Sequence, residues 1–318
     1  MGRREIVHLI ARRQIATSNS PDAQTSLVAL VLLLSFAVSS AAQSESFPRY
    51  DPAWHGSIAA GGFAGAGLIE WIEQHADHTC KWCGVDANGQ PDVPALDNWA
   101  RTHWRWTNEK RAGRIGNVTA GAAYAWPVIA LSSVHGGIDN RAGRDITATL
   151  SSMGVAQLMA GISKRVVRRS RPNVVFDADP IDDADDVQSF FSAHTATTFA
   201  AVVSAGTIAS RRGSPQAKWI WIGGIGLAGS TGYLRVAADR HFLTDVLVAA
   251  GVGVAIGALM PRLFDEDYSS GAPVTAASLQ IVGVGPVTHL ASRSATPVNL
   301  QFGAGMRSIG VVGTVRVR

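Results

Sequence analysis

Charge is scarce in this sequence: 16% of its 318 residues are Asp, Glu, Lys or Arg, against 47% that are hydrophobic. That balance leans toward a membrane or heavily buried protein. The formal net charge of +4 is too modest to make a case for a nucleic-acid partner. Cysteine is nearly missing, with Cys80 and Cys83 alone in the stretch HADHTCKWC. Two cysteines this close in an exported chain are expected to form a local disulfide, and a site built with His75 and His78 is the metal-binding alternative. No strand-helix-strand pattern surrounds the pair, which argues against a thioredoxin-like redox role. The acidic residues crowd into Asp177 to Asp186, DADPIDDADD, without the spacing or glycine of a calcium loop, so a solvated loop is expected and no metal is assigned.

What is present begins with an export signal. Arg3, Arg4, Arg12 and Arg13 form a basic leader, Leu27 to Val38 an apolar core, and Ser40-Ala41-Ala42 a small-residue cleavage site. Residues 1–42 are therefore expected to be a signal peptide or an uncleaved anchor, and the chain after them to begin outside the cytoplasm. Residues 43–114 form a tryptophan-rich extracytoplasmic region whose apolar part, Ser57 to Ile72, is interrupted by glycines and carries Glu70. It reads as a helix packed on the domain or at an interface, not as a span.

From residue 115 to 263 the texture changes to long runs of small apolar residues. Val118 to Val134, Ile146 to Ile162, Thr195 to Ser210, Trp219 to Leu234 and Leu243 to Met260 each approach the ~17 to 20 residues that a bilayer core requires. All five are expected to be helices. Their Gly, Ala and Ser content suits close helix contact, in lipid or in a tightly packed soluble bundle. After a Ser-Ser-Gly linker, residues 264–318 alternate β-branched residues with glycine and polar residues, which predicts short strands without chemistry of their own.

Three segments within the helical region carry titratable groups. Lys164 to Pro172 reads KRVVRRSRP, where Lys164 and Arg171 stand close to two helical turns apart and are expected on one side of a helix that Pro172 helps to end. Phe191 to His194 reads FSAH at the start of an apolar run. Ser192 and the backbone N–H of Ala193 would there form an anion cradle, with His194 placed to give a proton to a leaving group. Leu234 to Asp245 reads LRVAADRHFLTD. On a helix, Asp245 would accept a hydrogen bond from one ring nitrogen of His241 and leave the other free to attack, while Arg235 offers a planar fork suited to phosphate.

The ordered set K-x6-RP, x-S-x-H and R-x5-H-x3-D resembles the type 2 phosphatidic acid phosphatase (PAP2) superfamily, which also holds bacterial class A acid phosphatases and vanadium haloperoxidases. The resemblance spans roughly residues 140–261. Two positions depart from the family pattern: Phe191 and Ala193 stand in a stretch that is usually Pro-Ser-Gly-His, and Leu234 where serine is usual. The resemblance implies an all-α helical bundle, here read as membrane-embedded with a short β-rich C-terminal tail. It also implies phosphomonoester or diphosphate hydrolysis through a phosphohistidine on His241, oriented by Asp245, with His194 as acid and base. Lys164, Arg171, Arg235, Ser192 and Ala193 would hold the phosphoryl oxygens, with no cofactor and no metal required. The expected substrates are lipid phosphates of the phosphatidic acid or polyprenyl diphosphate type. A periplasmic non-specific acid phosphatase, a vanadate-dependent haloperoxidase and a non-catalytic envelope protein are the alternatives.

With the motifs at one end of the bundle, Arg141, Arg144, Arg211, Arg212, Lys218 and Arg262 fall at the other end, as expected of a cytoplasmic side. That predicts five membrane helices in the inner membrane, with the site facing outward. Arg165, Arg168 and Arg169 read either as a lipid-headgroup patch or as a solvated helix end. His55, His103, His135 and His289 show no partner pattern.

Overall fold

The computed structural model describes residues 52–76, 78–177 and 181–263, together with the strand residues 297–298 and 313–314. The chain divides into two compact units, Met1–Ala272 and Pro273–Arg318. In the first, the described helices are α1 (Pro52–Gln74), α2 (Ala95–Trp104), α3 (Glu109–His135), α4 (Asn140–Val167), α5 (Pro172–Phe176), α6 (Ala193–Arg211), α7 (Ala217–Ala237) and α8 (Leu243–Leu263). A 3₁₀ turn, Ala184–Val187, precedes α6. In the second, β1 (Pro297–Val298) pairs antiparallel with β2 (Gly313–Thr314). The expected leader and the rest of the β-rich tail lie outside the described residues.

The helix ends follow local side-chain chemistry. Asn108 accepts from Arg111 N at the start of α3, Asp139 from Ala142 N at the start of α4, and Ser192 from Thr195 N at the start of α6. Each satisfies an N–H that has no partner within the helix. Gly136, at φ 73°, ends α3 in a left-handed cap that costs glycine nothing.

Helix α6 runs through the centre of the bundle, in contact with α3, α4, α7 and α8, and nearly all of it is buried. Its small residues permit this. An added Cβ at Gly253 or Gly257 of α8 would lie 2.4 Å from Ala196 O or 2.6 Å from Ala200 O, so α8 rests directly on the α6 backbone. The N-terminal helix α1 meets α4 the same way, since a Cβ at Gly62 would sit 2.4 Å from the Gly154 carbonyl carbon. The stretch expected to be a helix packed on the domain is indeed one, and it lies along the helix that carries Lys164.

All five apolar runs are helical. Among the described residues, α4 and α8 are the helices long and apolar enough to cross a membrane, so the expectation of five spans is corrected to two candidates. The Ser, Thr and Gly residues that let α6 pack on every side also lower its hydropathy. The flank of the bundle nevertheless exposes Val118, Ile129, Trp219, Ile222 and Leu247 to the surroundings.

At the end where α3 meets α4, His135 has a partner that no spacing pattern announces. Its Nε2 lies 2.8 Å from Asp145 Oδ2, and Arg212 Nη2 donates to Asp145 Oδ1 at 2.7 Å.

Candidate active site

The K-x6-RP residues do not share a helix as expected. Helix α4 ends at Val167, and Arg168 caps it at φ 47° in the left-handed region. The chain then turns, Arg169 and Ser170 run beside Trp82, and Arg171 becomes the N-cap of α5 with Pro172 in its first turn. Proline therefore opens the next helix instead of closing the last one, as its fixed φ and missing N–H favour. Lys164 and Arg171 are brought together by this turn.

Ser192 is the N-cap of α6, and Ala193 is its first residue. Ala193 is not among the residues with positive φ, so this site has no need of the glycine usual in the motif. The Ser192 hydroxyl also accepts from Thr195 Oγ1 at 3.0 Å, which fixes the start of the helix. Arg235 sits in the last turn of α7, and His241 in the bend between α7 and α8.

Three cations converge here. Lys164, Arg171 and Arg235 all act electrostatically on His194. Arg171 donates through Nη2 to Asp185 Oδ1 at 2.6 Å, and Arg235 through Nη2 to Asn117 Oδ1. The Nε atoms of both arginines are buried without a hydrogen-bond partner among the described residues. Buried guanidinium donors left open in this way are costly unless an anion completes them.

His241 does not donate to Asp245. Its Nδ1 lies 2.7 Å from the carbonyl oxygen of Ser189. A carbonyl can only accept, so Nδ1 carries the hydrogen and Nε2 keeps a free lone pair. The difference arises because His241 precedes α8, so the one-turn spacing expected on a helix does not apply. Burial first, and then the charges of Arg171 and Lys164, hold the imidazole pKa well below its usual 6.5, against the pull of the Ser189 carbonyl. The surroundings thus favour the neutral ring with an open Nε2. Asp245 instead accepts from Phe242 N at 2.9 Å, from Ser189 Oγ at 2.6 Å and from Arg169 Nη1.

Against this geometry, residues 145–268 match the family model described as the PAP2 superfamily. This segment is a PAP2 superfamily domain. The match contains all three motif segments, while α1, α2 and α3 precede it. A curated relative, lipid A 1-phosphatase of Porphyromonas gingivalis, is 34% identical over 77 residues, which cover 24% of this chain and 16% of that protein's length.

Around the PAP2 domain the structure adds residues that the motifs do not name. Asn117, on α3, holds Arg235; the Ser189 carbonyl accepts from His241; Arg169 pairs with both Asp245 and Asp97. Of these, Arg169 alone lies inside a motif, where its neighbours suggest a surface patch. For Arg169 both expectations, headgroup patch and solvated helix end, are corrected, since it is 1% exposed; Arg168 and the half-exposed Arg165 pair with the buried Glu73. Cys80 and Cys83 are joined in a disulfide with Cα atoms 5.3 Å apart, which removes the thiolates a His2Cys2 metal site would use.

The acidic loop serves the arginines. Asp185 pairs with Arg171, Asp183 and Asp186 cap the 3₁₀ turn reciprocally, and Asp177 binds Arg101 and Arg105. Carboxylate oxygens of Glu109, Asp177 and Asp239 lie within 4.8 Å of one another, but Arg101 and Arg105 already pair with them. A small open cleft between α1 and α4 reaches Lys164 and Ala193, and is lined by Glu70, Gln157 and Gln188.

Proposed function

We propose that the protein is a metal-independent phosphatase that hydrolyses lipid phosphates through a phosphohistidine at His241. The observation that carries this reading is the pair of buried, unpartnered guanidinium nitrogens of Arg171 and Arg235, set beside a neutral histidine whose tautomer is fixed. Together with Lys164 and the N–H groups at the start of α6, they form a pocket for an anion of phosphate charge.

In the reaction, His241 Nε2 attacks phosphorus and the bond to the ester oxygen breaks. Lys164, Arg171 and Arg235 neutralise the equatorial oxygens, the largest contribution to catalysis expected in phosphoryl transfer. The imidazole pKa of His194 is pushed down to about 4 by burial and then by the charges of Arg235, Lys164 and Arg171. The residue takes up a proton as the phosphate dianion enters, gives it to the departing alkoxide and then takes one from the water that attacks the phosphohistidine. Phosphate leaves and His241 returns to its neutral form. While phosphorylated, the imidazole is cationic, and the Ser189 carbonyl stabilises its Nδ1–H.

For the substrate, the apolar flank of the bundle and the candidate spans α4 and α8 support a lipid phosphate whose tail stays in the membrane. The named activity of the P. gingivalis relative agrees with that class. Arg141, Arg144, Arg211 and Lys218 at the opposite end support an outward-facing site.

The test is an alkaline detergent quench of the purified protein during turnover, because the P–N bond of phosphohistidine survives base and hydrolyses in acid. A trapped phosphoenzyme is expected in the parent and none in His241→Asn; turnover surviving in that variant would move the nucleophile elsewhere. In mixed micelles, kcat/KM should be higher for phosphatidic acid or a polyprenyl diphosphate than for p-nitrophenyl phosphate; the reverse order would defeat the lipid assignment alone. Reporter fusions after Arg212 and after Asp239 should report cytoplasm and exterior respectively.

A further inference from the structure

Arg169 is the largest of the fully buried side chains among the described residues, and the proposed reaction does not use it. Its side chain is 2% exposed. The guanidinium carbon lies 4.0 Å from the ring centroids of both Trp82 and Phe242. Nη2 donates to Asp97 Oδ2 at 2.8 Å, and Nη1 donates to Thr244 Oγ1 at 2.9 Å and to Asp245 Oδ1. Asp97 closes the arrangement by accepting from Thr244 N at 2.8 Å and Thr244 Oγ1 at 2.7 Å.

From Asp245 the connections continue to the nucleophile. Asp245 Oδ2 receives the Ser189 hydroxyl at 2.6 Å, and the carbonyl of the same serine receives His241 Nδ1 at 2.7 Å. Ser189 is held from its other side as well, since its N–H donates to Arg169 O at 2.9 Å. Arg169 thus reaches Ser189 twice, by side chain through Asp245 and by backbone directly.

The far end of the connection lies outside the PAP2 match. Trp82 belongs to the loop closed by the Cys80–Cys83 disulfide, and its carbonyl accepts from Ser170 N at 3.0 Å while its ring covers Arg169. Asp97 belongs to α2. Both N-terminal elements therefore bear on a residue that reaches His241 through Asp245 and Ser189.

We propose that Arg169 is a positioning residue for the phosphohistidine chemistry, acting through Asp245 and Ser189 to hold the His241 ring, with the disulfide-closed loop and α2 as its mounting. This rests on His241 being the nucleophile. The side-chain partners described for Arg169 are Asp97, Thr244, Asp245, Trp82 and Phe242, so its influence runs to the attacking ring rather than to the anion pocket. A ring that is free to rotate loses attack geometry while phosphate binding persists.

The experiment uses the full-length purified protein and p-nitrophenyl phosphate, with inorganic phosphate as competitive inhibitor. Arg169→Gln should lower kcat about 10²-fold while KM and the phosphate inhibition constant stay within roughly threefold. Asp245→Asn should behave alike, and the double variant should be no slower than the slower single variant, because both act on one connection. Trp82→Leu should lower kcat less, by about threefold to tenfold, again without moving the inhibition constant.

Multiplying effects in the Arg169 and Asp245 double variant, or a parallel rise in KM and the inhibition constant, would overturn the proposal. Should Arg169→Gln fail to fold, Ser189→Ala removes only the hydroxyl link and must show the same loss of kcat, with no further loss on adding Asp245→Asn. Alkaline quench, which preserves a phosphohistidine, separates the two readings. No phosphoenzyme in the parent would sink the nucleophile assignment, whereas phosphoenzyme formed at an unchanged rate in Arg169→Gln would sink this proposal alone.

Discussion

Two ends of the same bundle each gather histidine, arginine and aspartate, and they are built to opposite plans. At the end where α3 meets α4, Asp145 receives His135 Nε2 at 2.8 Å and Arg212 Nη2 at 2.7 Å, so each charge faces a partner. Nineteen residues further along α4, roughly 28 Å at 1.5 Å per residue, lies Lys164, and there the cations outnumber the anions. Arg171 has Asp185, Arg235 has a neutral amide, and a nitrogen of each is left open. A closed cluster locks one helix to the next. An open one is stable only because the fold compensates for it elsewhere, and it keeps its binding energy for an anion.

The contrast is broken most strongly by Arg235→Gln. Removing an open donor at the cationic end should cost about 10²-fold to 10³-fold in kcat/KM, the magnitude found when a donor to a developing oxyanion is lost. Folding stability should hold or rise, because a buried charge with little compensation is removed. Asp145→Asn is the mirror experiment. It leaves His135 and the half-exposed Arg212 without their carboxylate and should cost roughly 2 to 3 kcal/mol of stability with turnover nearly unchanged. Denaturant melts and kinetics on both variants check the pair; loss of activity at Asp145 with stability intact would erase the distinction.

Anion binding sharpens the comparison further. Orthovanadate, a mimic of the five-coordinate transition state, should inhibit and also raise the melting temperature, by the equivalent of about 2.7 kcal/mol at a hundred times its dissociation constant. Activity should survive chelation by EDTA. The vanadate shift should shrink in Arg235→Gln and persist in Asp145→Asn. Equal shifts in both variants would place the anion elsewhere.

Much of this is legible in the sequence, and the part that is not has a physical reason. The helices announce themselves through long runs of small apolar residues, and Lys164, Arg171, His194, Arg235 and His241 through ordered spacings. Geometry between those positions departs from expectation wherever a helix does not continue. Arg168 adopts a left-handed conformation that its residue type does not favour, and that one turn brings Arg171 around and sends Arg169 inward. His241 stands just before α8, so its hydrogen bond goes to a carbonyl 52 residues away instead of to Asp245. Long-range partners such as Asn117 and Asp97 leave no local pattern. Length and small-residue content overstate the number of candidate spans because α6, central in the bundle, buries Thr195, Thr197, Thr198 and Ser204 against its neighbours and is thereby less apolar than its run suggests.

The smallest expected effect is on pH dependence, and it isolates the open cluster's charge. A free histidine is half protonated near pH 6.5, where half its nucleophile would be lost. In His241, burial lowers the pKa first, then the charges of Arg171 and Lys164. A lowered pKa means that the ring stays neutral as the pH falls through 6.5, so the acidic limb of phosphoenzyme formation should lie below that value. Lys164→Met removes one of the depressing charges, so the limb should move up toward 6.5 even though the rate at its plateau falls. Comparing both proteins on the same substrate in single-turnover experiments cancels the ionisation of the phosphate ester itself. A limb that stays fixed, or moves further into acid, would mean that Lys164 does not act on the attacking ring.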